Sequence, residues 1–95
     1  MMAIPSISTD DAAARASDSL QAAYFRGALA DYRAVVAAKL TRQAAKLNAM
    51  SGKADSVAIS RMRRQIRENE AEYRNLDGMI DAIDRRFSAS WANRP

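Results

Sequence analysis

The chain has 95 residues, a net charge of +4 and neither cysteine nor histidine, so it forms one small domain at most. Without cysteine it has no disulfide, thiolate nucleophile or cysteine-based metal site, and without histidine it lacks the commonest general base and metal ligand. We therefore expect no enzyme: no catalytic residues, no cofactor, no bound metal and no small-molecule substrate.

No apolar run approaches the length of about 20 residues that a membrane-spanning helix needs. The segment from Met1 to Asp11 has neither the charged region nor the apolar region of a secretory signal. We expect a small, basic bacterial protein of the cytoplasm, with no membrane span.

The first predicted element is a long helix over residues 9–50, preceded by a flexible lead over residues 1–8. Ser8 can cap this helix, and the two aspartates that follow suit the positive end of the helix dipole. Up to residue 50 the only unfavourable residue is Gly27, which costs about 1 kcal/mol against alanine.

A turn is predicted over residues 51–54, where Gly52 suits the left-handed position that ends a helix. A second helix is then expected over residues 55–88, capped by Asp55 or Ser56. Because the turn is short, the two helices should lie antiparallel.

Residues 89–95 are predicted to form a flexible tail that contains the only tryptophan, Trp91. Two interpretations are open for this side chain. It folds back over Phe87 and closes the open end of the hairpin, or it stays exposed as an anchor for a partner.

The second helix carries an apolar seam with the alternating spacing of three and four that is typical of coiled coils. Its one polar member, Asn69, either is buried and fixes the register, or faces a wet gap. The members of this seam are Ile59, Met62, Ile66, Asn69, Tyr73, Leu76, Ile80, Ile83 and Phe87.

The first helix has a matching stripe of large residues on a narrow arc. Folding the chain at the turn pairs residue i with roughly 105 − i, so that large residues meet large residues. The predicted fold is thus an all-α, antiparallel two-helix hairpin, coiled-coil-like, which could dimerise into a four-helix bundle. The stripe consists of Phe25, Leu29, Tyr32, Val36, Leu40, Leu47 and Met50.

A second stripe of mainly small residues lies nearly opposite the large one. Either it is a second interface, for another copy or for a partner helix, or its alanines only supply helix propensity on a solvated surface. An isolated two-helix hairpin buries little area, which favours the interface. The candidate residues are Leu20, Ala23, Gly27, Ala30, Ala34 and Ala38.

Charge is concentrated at the turn end of the hairpin. Residues 33–67 hold nine basic residues and one acid, whereas residues 1–32 and 68–95 each have a net charge of −2. This basic end could bind nucleic acid or another polyanion, pair with an acidic protein surface or another copy, or simply stay solvated. The candidate polyanion contacts are Arg42, Lys46, Arg61, Arg63, Arg64 and Arg67.

Three acids, Asp77, Asp81 and Asp84, lie within two turns of the second helix. They could in principle hold a cation, but Arg74 and Arg85 flank them and are favoured as ion-pair partners.

The layout of residues 20–87 resembles the small two-helix co-chaperones of bacterial type III secretion. The likeness rests on an alanine- and arginine-rich first helix, a short turn, and a second helix that ends in a set of apolar residues. It implies a complex with a helical-repeat chaperone through an exposed helix face. Those apolar residues are Leu76, Met79, Ile80, Ile83 and Phe87.

The predicted function is a helical-hairpin protein–protein interaction module, either a homodimer or a chaperone-like adaptor associated with secretion. The first alternative is a polyanion-binding protein that uses the basic turn end. The second is a structural component of a phage or secretion assembly.

Overall fold

The computed structural model describes residues 4–53 and 55–92. They form two helices, α1 (Ile4–Met50) and α2 (Ser56–Ala92), which pack side by side and antiparallel. The molecule is a rod of 80 × 25 × 15 Å. The predicted all-α two-helix hairpin is therefore confirmed.

The turn has the chemistry that the sequence predicts. Gly52 has a φ of 77°, in the left-handed region that a residue without Cβ adopts at little cost. Asp55 caps α2, since its Oδ1 accepts a hydrogen bond of 2.7 Å from the backbone N–H of Ala58. Ala54, which belongs to the predicted turn, lies outside the described residues.

Helix α1 begins earlier than predicted, because Ile4 to Ser8, predicted as part of a flexible lead over residues 1–8, are helical. Pro5 does not prevent this start. In the first turn of a helix the missing N–H of proline has no intrahelical partner to lose. Ser8 therefore lies inside the helix rather than at its cap.

Helix α2 continues into the predicted flexible tail, residues 89–95. Trp91 stacks on Phe87, with ring centroids 6.1 Å apart and planes inclined by 21°. Its indole Nε1 donates a hydrogen bond of 3.1 Å to the carbonyl of Ser19, which fixes the last turn of α2 to α1. The folded-back arrangement of the tryptophan is thus the one observed. The three outermost residues of the predicted lead and tail lie outside the described residues.

The core of the hairpin is small and lies in the half of the rod that is remote from the turn. Towards the turn, the facing apolar residues Leu47, Ile59, Met62 and Ile66 are only half-buried. The buried residues are Leu29, Val36, Leu76 and Ile80, and Ala30, Leu40, Tyr73 and Ile83 pack against them.

All nine predicted seam residues of α2 are at least half-buried, and so are five of the seven residues predicted for the large stripe of α1; the exceptions are Phe25 and Tyr32. Phe25 and Tyr32 are 51% and 50% exposed and lie at the edge of the face that α1 turns toward α2. Polar residues take inward positions because they find partners on α2. The residues of α1 that face α2 recur at spacings of three and four: Ser19, Ala22, Arg26, Leu29, Arg33, Val36, Leu40, Gln43, Leu47 and Met50.

The register of the hairpin also differs from the predicted pairing of i with 105 − i. The last inward residue of α1 is Met50 and the first large inward residue of α2 is Ile59, so the pairing starts later than a fold at the turn suggests. It follows i with about 110 − i, a shift of a little more than one helical turn. Three cross-helix contacts show it: Arg26 with Asp84, Arg33 with Asp77, and Ser19 with Trp91.

This register leaves α1 longer than its partner. Ala92, at the end of α2, lies near residue 18, and residues 11–18 are all exposed. The N-terminal part of α1 up to about that residue, the overhang, therefore has no facing helix within the described hairpin.

Candidate interaction surfaces

The open end of the hairpin is held by ion pairs between the helices. The guanidinium of Arg26 forms a two-pronged contact with the carboxylate of Asp84, in which Nη2 donates to Oδ2 at 3.0 Å. This hydrogen bonding, opposed by desolvation and reinforced by the nearby positive charges, lowers the pKa of Asp84 below its ordinary value.

The predicted acidic strip on α2 pairs with arginines, and two of these come from the other helix. Asp77 accepts a hydrogen bond of 2.6 Å from Arg33, and Asp81 lies 2.7 Å from Arg85. The expected partner Arg74 is not used, since it has no carboxylate within 4.0 Å among the described residues. Because each acid already faces a cation, the strip is a poor place for a metal ion.

A polar layer lies nearer the turn. Asn69 donates from Nδ2 to Oε1 of Gln43 at 2.9 Å, and both side chains are half-buried. Asn69 therefore has a protein partner across the seam rather than a wet gap. At the edge of the seam, the hydroxyl of Tyr32 donates to Glu72, and this hydrogen bond raises the pKa of the tyrosine.

The solvent side of α1 is apolar over residues 20–38, and we call it the outer face of α1. Asp31 is its only charged residue, because Arg26 and Arg33 turn inward to α2. Tyr24 is 84% exposed and Val35 is 65% exposed. The exposed residues are Leu20, Gln21, Ala23, Tyr24, Phe25, Gly27, Ala28, Asp31, Tyr32, Ala34, Val35 and Ala38.

Five of the six residues predicted for a second interface lie on this outer face. The exception is Ala30, which packs against the core of the hairpin. The predicted stripe of small residues is thus only part of this surface, which also includes the larger side chains of Tyr24, Phe25, Tyr32 and Val35. The lack of exposed charge along this segment is the sequence signal that could have found them.

The second surface is the turn end, where the cations remain exposed. None of them has a carboxylate within 4.0 Å in the part of the chain that the structure describes. The one acid of this region, Asp55, is engaged in capping α2. We call this set the basic tip: Lys39, Arg42, Lys46, Lys53, Arg61, Arg63, Arg64 and Arg67.

All six predicted polyanion contacts belong to this basic tip. Arg61 and Arg64 also line an open depression of about 310 Å³, together with the exposed side chains of Ser56, Val57 and Ser60.

Comparison of the chain with family models, curated proteins and solved structures finds no match. Neither described helix has a stretch apolar and long enough to cross a bilayer. Among the described residues there is also no group of three or more side chains suited to holding a metal ion. The outer face of α1 and the basic tip are therefore the features from which a function can be inferred.

Proposed function

We propose that this protein is a helical-hairpin interaction module that binds a second copy of itself through the outer face of α1. The observation that carries the proposal is the apolar character of that face, with Tyr24 at 84% and Val35 at 65% exposure. A helix that is apolar on both sides is normally buried on both sides. Contiguous exposed apolar surface on a small protein is typical of an interaction site.

The small core supports the same proposal. Only four apolar residues are buried among those that the structure describes, and a hairpin of this size is marginally stable by itself. A second hairpin laid on α1 would build a four-helix bundle and cover residues 20–38 over roughly 28 Å of helix.

Charge along α1 favours a second copy as the occupant. Before the outer face, residues 1–19 hold three aspartates and one arginine; after it come Lys39, Arg42 and Lys46. Two α1 helices packed antiparallel about residue 29 would place the acidic overhang of each copy beside these cations of the other. The pattern of acid, apolar and base is self-complementary in that orientation.

Two other occupants fit the same face and are outcomes of the test. A chaperone-like adaptor, as the type III secretion resemblance implies, would bind a helical partner there and remain monomeric alone. A structural component of a phage or secretion assembly would form polymers rather than a closed dimer.

The test is the molar mass in solution, measured by light scattering after size exclusion. We expect twice the chain mass of 10.4 kDa at high concentration, and a monomer for Val35→Glu, because it would add a second carboxylate, one turn after Asp31, to the interface of each copy. The control is Ala82→Glu, which adds the same charge at an exposed position of α2 and should stay dimeric. A wild-type monomer at high concentration contradicts self-association, and a dimeric Val35→Glu variant contradicts the choice of face.

A further inference from the structure

We propose that the basic tip binds the phosphate backbone of double-stranded nucleic acid without reading the bases. The proposed dimer would pair Lys39, Arg42 and Lys46 with acids of the other copy, but it leaves the four arginines of the tip on α2 without such partners, so binding by these arginines does not require self-association. The tip combines a high density of exposed cations with a shape open to solvent, and within the described chain none of these cations has a carboxylate within 4.0 Å.

The central feature is a group of four arginines on the first turns of α2. Arg61, Arg63, Arg64 and Arg67 are all exposed and span roughly 9 Å along the helix axis. Arg61 and Arg64 line a depression with residues of α2 alone, whereas Arg63 lines a second one together with Ala44, Leu47 and Asn48 of α1. The four arginines therefore surround the exposed part of α2 and reach the groove between the helices, and none of them belongs to the outer face of α1.

This density matches the charge of a duplex. Double-stranded DNA carries one negative charge per about 1.7 Å of axis when both strands are counted, so a stretch of about 9 Å holds about five phosphates, a number close to that of the four arginines. Guanidinium groups also bind phosphate oxygens in pairs, and the hydroxyls of Ser56 and Ser60 beside Arg61 and Arg64 are further donors.

The amino-acid composition of the tip favours contacts with phosphates over recognition of the bases. Residues 39–67 include no aromatic residue, and single-strand binding proteins rely on aromatic side chains to stack the bases. A duplex, whose bases are already stacked, requires only the charge complement. We therefore expect binding that is independent of sequence and stronger for duplexes than for single strands.

An anionic membrane is the competing polyanion, and the tip suits it less well. Surface helices that bind membranes bury an apolar face below the headgroups. Val57, 65% exposed, is the only large apolar side chain that the tip exposes among the described residues. One valine gives little hydrophobic anchoring, so vesicle binding should be the weaker of the two.

The experiment is fluorescence anisotropy of the full chain with a labelled 20-base-pair duplex, a single strand of equal length, and vesicles of 30% phosphatidylserine, from 50 to 200 mM salt. We expect duplex binding at 50 mM salt that weakens at least tenfold across this range. The quadruple variant Arg61→Gln, Arg63→Gln, Arg64→Gln, Arg67→Gln should bind at least tenfold more weakly. Its salt slope should fall by about 3 to 4, since each phosphate contact contributes about 0.9.

The matched control removes four arginines from the rest of the chain: Arg15→Gln, Arg74→Gln, Arg85→Gln, Arg86→Gln. It has the same net charge as the tip variant and should retain duplex binding within about threefold. Circular dichroism establishes that both variants are folded. An equal loss of duplex affinity in the two variants would mean that net charge alone causes binding, which contradicts a site at the tip. The proposal would also be overturned if the wild type did not bind the duplex at 50 mM salt, or if it bound the single strand or the vesicles more tightly. The dimer-deficient Val35→Glu variant should still bind per chain, which separates this result from the fate of the proposed self-association.

Discussion

The two helices of the hairpin bury similar inner faces but present opposite outer ones. Away from α1, α2 exposes mainly charged and polar residues, of which Arg64, Arg67 and Arg85 are typical. Away from α2, α1 exposes tyrosine, phenylalanine, valine and alanine between residues 20 and 38. The solvent side of α2 thus suits water, whereas the solvent side of α1 suits burial. This difference is the reason why the proposed self-association uses α1 rather than α2.

The largest expected effect is a loss of stability when a residue buried between the two helices is truncated. Ile80 is 2% exposed, and Ile80→Ala should lower the free energy of unfolding by about 2–4 kcal/mol, because it leaves a cavity in a core of four residues. Urea denaturation followed by circular dichroism measures it. The neighbouring Met79, 45% exposed on the outer side of α2, is the control: Met79→Ala should change stability by less than about 0.5 kcal/mol. Equal losses would mean that the two sides of α2 do not differ as described.

A smaller effect is expected at the polar layer. Replacing Asn69 and Gln43 together by leucine removes a half-buried amide pair, and should raise the free energy of unfolding by about 1 kcal/mol. Asn69→Leu alone should gain less, since it leaves the amide of Gln43 without its partner. Chemical denaturation of four proteins, the wild type, Asn69→Leu, Gln43→Leu and the double variant, gives the coupling as a double-mutant cycle. An additive cycle would show that the hydrogen bond contributes nothing to the seam.

Lowering the pH should destabilise the open end of the hairpin. The pKa of Asp84 is lowered in the folded state, mainly by its hydrogen bond with Arg26. The stability from this pair is therefore fully present above the ordinary aspartate pKa of 3.8 and is lost as the pH falls through the lower folded value. Thermal midpoints between pH 2 and 6 should fall less steeply for Asp84→Asn than for the wild type. Parallel profiles would contradict the role of this pair.

The smallest effect is expected at Ser19, which is 5% exposed and whose Oγ has no hydrogen-bond partner among the described residues. Ser19→Ala should leave the free energy of unfolding unchanged or raise it by up to about 1 kcal/mol, since it removes a buried hydroxyl that gains nothing. The thermal midpoint measures this change. A clear loss of stability would show that the hydroxyl is bonded after all. Trp91→Phe, which removes the donor to the Ser19 carbonyl, should instead destabilise.

Sequence reasoning worked best for α2. Its apolar residues form one stripe, so periodicity identifies both the helix and the inward face, and the turn chemistry of Gly52 and Asp55 is local. In α1 the same reasoning was right for five of the seven large residues that it assigned to the inward face, but it was wrong for the two aromatic ones. Its largest residues, such as Phe25 and Tyr32, face partly outward, while Arg26 and Arg33 face inward.

The inward position of Arg26 and Arg33 could not be predicted from α1 alone, because it depends on the residues of α2 that face them. A charged residue on a seam is favourable only if an opposite charge faces it, and Asp77 and Asp84 become neighbours only once the register is known. The register in turn depends on where the first inward residues after the turn lie. The basic tip was fully visible in the sequence, because it requires only the location of the turn.

The overhang of α1 offers a way to see whether the outer face is occupied. Helical segments of about a dozen residues without tertiary packing are marginal in water, so its amide protons should exchange with solvent within seconds in the free hairpin. In an antiparallel pair each overhang would lie along the other copy and its amides would be protected. Deuterium uptake at residues 11–18 thus reports the assembly state of the chain from a segment that contributes nothing to the core of a single hairpin.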